Sequence, residues 1–401
     1  MNSDFVLPSA PSAAGTRVQS DRTASTSKIV VVPVTDQRGL DQFVRVPWLV
    51  YADDPAWVPP LLIERLEALS DKEPFFMHAK WQAWVALVDG VAVGRISAQI
   101  DQHYLDRYPD RSGYFGMLEA IDDPAVFAVL FSTAEAWLRE RGMERVVGPF
   151  NLGVNQEVGM LCEGYETSPY FLMGHARPYY HARVEALGYR GCQDMLAYLL
   201  DTQYQDNPRI ARLRARLAKK VKIRILDRKR KHEELALLRD IFNDAWSGNW
   251  GFVPFTEAEF EHIGSQLLLF LPKDFVLIAE VSDEPAGFIV LVPNLNEIIK
   301  DLNGRLLPFG WLKLLWRLKV KFPTTARVPL MGVRRQMHNT ALGPGIATML
   351  IEELGQSAHR AGVRVNELSW ILDTNVGMRS IIERIGGKVS KRYRMYEKAL
   401  G

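Results

Sequence analysis

Cysteine is scarce: Cys162 and Cys192 are the only two in 401 residues, they form no CxxC pair, and they are too few for a disulfide framework. Their scarcity excludes the small disulfide-stapled secreted class and makes the reducing cytoplasm the expected location. An excess of charge of one sign is missing too. The chain has 49 Lys and Arg against 47 Asp and Glu, a formal net charge of +2. No global field draws nucleic acid, which is therefore not a favoured partner. Long apolar runs are also lacking. A bilayer-spanning helix needs ~20 apolar residues, and the best candidate, 306–322, is broken by Lys313, Arg317, Lys319 and Lys321. The first 27 residues, rich in Ser, Ala and Thr, have no signal-peptide core and read as a disordered tail. What is left has ordinary globular composition, 47% hydrophobic and 24% charged, and is long enough for more than one core.

What is present is one order of elements that occurs twice. Periodicity and punctuation predict a strand over 28–34, a helix over 40–51, a hairpin of 81–88 and 91–100 around Asp89-Gly90, and a strand over 112–117. A helix over 124–141, a strand over 145–151, a helix over 179–187 and a strand over 194–200 follow. The second half repeats this with strand 221–226, helix 232–246, hairpin 275–281 and 286–292, strand 327–333 and helix 345–361. Strand 366–372, helix 377–385 and strand 388–398 complete it. The fold class expected is α/β with mixed sheets, in two tandem units at 28–203 and 217–401. A basic linker, 204–231, overlaps the start of the second unit. It reads as a solvated helix or as a phosphate-binding patch.

The segment Leu342-Gly-Pro-Gly-Ile-Ala347 joins the fourth strand of the second half to a helix. Glycines there leave room for close approach, Pro344 has no N–H to lose in a first turn, and the helix start offers free amides and a positive dipole end. This arrangement is a diphosphate cradle or a plain structural turn. In this order of elements the segment resembles the GNAT acyltransferase superfamily, whose signature at this place ends in Gly-x-Gly/Ala. The sequence from Glu367 to Asn375, followed by a helix ending at Gly386, fits that family as well. The resemblance implies that Gly343, Gly345, Ile346 and Ala347 hold the pyrophosphate of acyl-CoA, a co-substrate rather than a resident cofactor. Val333 and Asn375 would flank the pantetheine between splayed strands, and an amine would attack the thioester directly. The first half has no such loop and reads as a degenerate partner. The runs Tyr51 to Pro60, Gly148 to Glu157 and Ile241 to Phe252 resemble a bacterial tandem GNAT-like group that includes ceramide synthases. That likeness implies transfer of a long acyl chain to a sphingoid-type lipid amine.

An attacking amine must lose a proton, so the site needs a base. Glu367 on the fifth strand is the first candidate and Asp244 the second. Ile382 stands where many members of the family carry the Tyr that protonates the leaving thiolate, which makes Tyr393, with Tyr396 beside it, the replacement acid. Asn243, Trp246, Asn249 and Trp250 at the end of a helix suit an amino-alcohol headgroup. In 306–322, Lys313, Arg317 and Lys321 share one helical stripe while Trp311, Trp316 and several leucines cover the rest. That is the pattern of a helix lying on a membrane surface or of a lid over an acyl chain. A protein bound through it would be cytoplasmic and peripheral at the inner membrane. His175 and His338 are isolated, so no metal is expected. Acetylation of a small or protein amine, and a non-catalytic GNAT-fold protein that binds lipid or nucleic acid, are the alternative functions.

Overall fold

The computed structural model describes residues 28–202, 208–340 and 342–401. The tail expected over 1–27 and residues 203–207 of the linker lie outside the described residues. In chain order the strands are β1 Ile29–Pro33, β2 Ala79–Val88, β3 Val91–Asp101, β4 Ser112–Ala120, β5 Arg145–Gly148, β6 Phe150–Asn151, β7 Glu157–Val158 and β8 Met160–Glu163. They continue with β9 Arg190–Asp201, β10 Val221–Ile225, β11 Val276–Val281, β12 Glu284–Pro293, β13 Thr325–Val333, β14 Val365–Leu372 and β15 Lys388–Ala399. The fold is mixed α/β, as expected.

Local chemistry explains the helices that flank the sheet. Helix Gln37–Val50 starts at Asp36, whose side chain accepts from the Gly39 N–H at 2.7 Å, and buries Phe43, Val44, Val46 and Val50 at helical spacing. Helix Pro124–Arg139 starts at Asp123 with Pro124 in its first turn and buries Val126, Phe127, Leu130, Phe131, Ala134 and Leu138. Helix Glu257–Leu268 has a reciprocal capping box between Thr256 and Glu259. Helices Lys231–Trp246 and Leu342–Arg360 cover opposite faces of the second half, where their apolar residues join separate cores.

One sheet runs through both halves in the order β1-β2-β3-β4-β5-β15-β9-β14-β13-β12-β11-β10, with β8 added to β15. The last strands are exchanged. β9, from the first half, pairs with β14 of the second, and β15, from the second half, lies between β5 and β9. The element order in the sequence carries no sign of the exchange.

β13 and β14 are parallel partners only from Thr325–Val328 to Val365–Leu368. Beyond that point β13 stays on β12 as far as Val333, while β14 follows β9 through Ile371 and Leu372. The residue after Val328 is Pro329, which has no N–H to continue a ladder. A wedge opens there.

Candidate active site

The equivalent wedge of the first half is filled by its own chain. β4 and β5 pair over Ser112–Tyr114 and Arg145–Val147, and then residues 150–152 come in against β4. A Cβ on Gly116 would lie 1.8 Å from the Phe150 carbonyl oxygen, and Gln99 Nε2 donates to Phe150 O at 2.6 Å and Leu152 O at 2.9 Å. Part of the run Gly148 to Glu157 thus fills the place where β4 and β5 would otherwise part.

At the second wedge, helix Leu342–Arg360 presents its positive end. A Cβ on Gly343 would be 2.5 Å from Met337 O, and one on Gly345 would be 2.3 Å from Leu217 Cδ1. The two glycines therefore let the loop after β13 and the linker helix Pro208–Leu217 pack on the first turn. Ile346 and Ala347 are buried in the core. The Val333 carbonyl receives His338 Nε2 at 2.6 Å, and Asn375 caps helix Val376–Arg384 through the Met378 N–H. Arg334 and Gln336 line an open polar pocket at this end with Asp244, Glu284 and Pro285.

Strand alternation puts Leu368 in the core under helix Leu342–Arg360 and Glu367 with Ser369 on the opposite face. There Arg327, 2% exposed, donates from Nε to Ser369 Oγ at 2.9 Å, and Ser369 donates to Glu367 Oε1 at 2.8 Å. Arg327 lies 4.0 Å from Glu367, which is fully buried, and its guanidinium stacks 4.6 Å over the Trp370 ring. Two of these groups and Tyr393, which feels the charges of both, keep one idle atom each: Glu367 Oε2, Arg327 Nη2 and the Tyr393 hydroxyl are buried with no hydrogen-bond partner. Leaving such atoms unpaired costs ~1–3 kcal/mol each, which fits a site that a substrate completes. Burial pushes Glu367 above the usual carboxylate range, with Arg327 opposing; burial, then the charge of Glu367, drives the Tyr393 phenol well up.

A segment of the first half crosses this face. Phe171 and Leu172 give their carbonyls to Arg327 Nη1, Gly164 and Thr167 give theirs to the buried Lys391 ammonium, and Met173 Sδ lies 3.5 Å from Ser369 Oγ. The same strap carries His175. Its Nε2 is 2.9 Å from Asp54 Oδ2, and its Nδ1 is buried without a partner. Burial holds this imidazole below its ordinary range, so it is neutral and its free nitrogen is a proton acceptor. Lys391, pulled down by burial, feels both Glu367 and Asp54 and so links the two clusters electrostatically. Arg327, Lys391 and Asp54 are residues that the sequence reading missed, and His175, set aside there as isolated, is paired with Asp54. His175 and Asp54 are 121 residues apart in the chain, and no local spacing signals their pairing.

The remaining candidates lie elsewhere. Asp244 accepts from the Arg335 N–H at 2.9 Å. Asn243 has both ends of its amide on Phe255, and Trp246 donates to Met331 O at 2.8 Å, on the edge of β13 that β14 has left. Trp250 stacks parallel to Phe150 at 6.4 Å, and Asn249 turns the chain through its carbonyl to Phe252 N. Arg107 and Tyr108 bind the carbonyls of Ser247 and Phe252. This loop is a joint between the halves, and the side chains of Asn243, Trp246 and Ser247 and the carbonyls of Ser247 and Phe252 are taken. Trp311 and Trp316, expected over an acyl chain, are 44% and 56% exposed. A wholly apolar cavity of ≈ 40 Å³ lies instead between helices Lys231–Trp246 and Glu257–Leu268, walled by Leu235, Leu238, Ile263, Leu267, Val290 and, from β13, Leu330.

Among the described residues, His78, Asp101 and His103 bring possible metal-ligand atoms within 4.8 Å of one another. The His78 nitrogens are already taken by Asp101 at 3.0 Å and Glu259 at 3.2 Å, and its ring lies flat on His103 at 4.1 Å. Ring lone pairs in parallel planes do not converge on one ion, and the cluster works as a clamp between the halves.

No family model matches the sequence. Among proteins of known sequence, the chain is 50% identical over 366 residues to Protein YghO of Escherichia coli, covering 91% of this chain and 94% of that protein. It is 45% identical over 383 residues to the bacterial ceramide synthase of Caulobacter vibrioides, covering 94% and 99%. Among solved structures, it superposes on a tandem GNAT protein from the clavulanic acid biosynthesis pathway with a TM-score of 0.54 and 12% identity, over 93% of this chain and 99% of that one.

Proposed function

From a chain that belongs to the GNAT N-acyltransferase family, in the tandem group that contains the bacterial ceramide synthase, we propose an enzyme that transfers a long acyl group from CoA to a lipid amine of the sphingoid type. The observation that carries the chemistry is the buried trio of Glu367, Arg327 and Tyr393, each with one idle polar atom, beside the point where β13 and β14 part. Acyl-CoA lies along the second wedge with its diphosphate toward the start of helix Leu342–Arg360, and the amine approaches from the Glu367 face. Its nitrogen attacks the thioester carbonyl; the C–N bond forms and the C–S bond breaks. Glu367 Oε2 takes the nitrogen's proton, Tyr393 gives its own to the departing thiolate, and Arg327 Nη2 faces the oxygen on which charge develops.

The preference for a long chain rests on the likeness to the bacterial ceramide synthase; the apolar cavity that reaches Leu330 of β13, ≈ 40 Å³, has room for only a short stretch of such a chain. Each buried CH₂ contributes ~0.8 kcal/mol, a gain that acetyl-CoA cannot draw on. The test is turnover of purified protein with long-chain acyl-CoA and a sphingoid base. Glu367→Gln should lower kcat by ~10²–10⁴-fold while CoA binding persists. Full activity in this variant, or a preference for acetyl-CoA with a water-soluble amine, overturns the reading.

A second reading gives the proton to His175, favoured by its unpartnered Nδ1 and its carboxylate partner. His175→Gln and Glu367→Gln separate the two, since only the variant lacking the base loses the acid limb of the pH–rate profile.

A further inference from the structure

Helix Gly310–Val320 is turned the opposite way from an ordinary surface helix. The cations expected to face outward face the protein: Arg317 and Lys313 both bind Asp301, with Arg317 Nη2 at 2.9 Å, and Arg317 also donates to the Ile298 carbonyl. Leu314 and Leu318 pack beside them on Ile298, Ile299 and Leu302. The bonds from Arg317, then Lys313, hold the Asp301 carboxyl far below the usual carboxylate range, so this anchor stays charged at any physiological pH.

The solvent side is apolar over about half a turn. Trp311, Leu312, Leu315, Trp316 and Val320 are 44%, 48%, 49%, 56% and 66% exposed, and Leu307 and Phe309, just before the helix, are 76% and 72% exposed. No residue of the helix is buried. Contiguous patches of this kind mark a partner or a membrane. The exposed cations that accompany it are Arg305, Lys319 and Lys321, which make no ion pair among the described residues. Lys319 rises from the middle of the apolar arc, and its long stem suits a cation that reaches a headgroup while the helix lies below.

We propose that this face inserts into the surface of an anionic lipid bilayer and docks the protein there. The inference goes beyond the acyl-transfer reading and does not depend on it, because it rests on the exposed helix alone. A second copy of the chain would need an anionic counterpart to Arg305, Lys319 and Lys321, whereas acidic lipid headgroups supply one everywhere, and exposed indoles and leucines accompanied by unpaired cations match the headgroup boundary. The docking site adjoins the strap over Glu367. Asn296, just before Ile298, binds the Pro169 carbonyl, and Lys300 binds Ser168, two and three residues before the Phe171 carbonyl that Arg327 uses. A lipid amine leaving the bilayer at this helix would meet that strap first.

The test is flotation of the full chain with phosphatidylcholine vesicles, with and without phosphatidylglycerol, and no substrate. Wild type should float with the mixed vesicles, and the double variant Trp311→Ser, Trp316→Ser should partition about tenfold less while melting at the wild-type temperature. Lys319→Gln with Lys321→Gln should lose only the phosphatidylglycerol-dependent part, and high salt should remove the same part from wild type. Equal flotation of wild type and the Trp variant overturns the proposal, as does no flotation at all. A wild-type dimer in gel filtration that the Trp variant converts to monomer also overturns it, in favour of a second copy.

Discussion

Replacing Tyr393 by Phe separates chemistry from packing. The hydroxyl is buried with no partner, so removing it should leave thermal stability unchanged or raise it slightly, because an unsatisfied polar atom is lost. Turnover with long-chain acyl-CoA should fall, and CoA release measured beside a melting curve checks both. Arg327→Met should act in the opposite sense. It takes away the larger of the two positive charges that the buried Glu367 feels, Lys391 being the other, and should cost about 3 kcal/mol. It also removes the largest of the influences that lower the Glu367 pKa, so the acid limb of the pH–rate profile should move to higher pH. Glu367 was legible as a carboxylate on the fifth strand, beside the splay that the family resemblance implies, and Tyr393 as a stand-in for the acid that Ile382 displaces. Arg327, His175 and Asp54 were not, since their meaning comes from contacts across 40 to more than 120 residues of chain.

Among the elements, the Gly-rich segment is where sequence and structure differ most in emphasis. Read alone, Gly345 is a place for phosphate to approach. In the fold, the space above it holds Leu217. Gly345→Ala should therefore destabilise the chain by ~1–3 kcal/mol through overpacking, and the same change made in a Leu217→Ala background, itself less stable for the lost core side chain, should cost clearly less in a denaturant titration. A CoA-binding defect in a Gly345 variant is evidence about the cradle only in the Leu217→Ala background. The splay was expected only from the family resemblance; Pro329, where the β13–β14 pairing ends, was not read as its cause. In the helix over 310–320, spacing grouped Lys313 with Arg317 but set Leu314 and Leu318 on the opposite, apolar face, whereas both pack inward beside those cations; which side faces water was decided by Asp301, nine residues before the helix starts, and no periodicity reports that.

For the whole molecule, the repeated order of elements disclosed the duplication and the mixed sheet, while strand exchange and the plugged first wedge were hidden because both depend on how the halves meet. The joint is pH-sensitive at His78. Burial lowers its pKa, but the bonds to Asp101 and Glu259 prevail and raise it from 6.5 to about 9. A raised folded-state value means that the clamp's contribution is complete below the unfolded value near 6.5 and is lost as pH rises through about 9. The gap in melting temperature between wild type and His78→Gln should thus be widest near about pH 6 and close by about pH 10.

Because β9 and β15 have changed places, connectivity and cohesion are separate properties of this protein. A protease or an engineered site that cuts the backbone between Thr202 and Pro208 would yield two fragments only in denaturant; in native buffer they would migrate as a single particle. A gene divided at that point would encode two polypeptides, each lacking the edge that the other supplies. Neither should be soluble when expressed alone, and both should be recovered together when co-expressed.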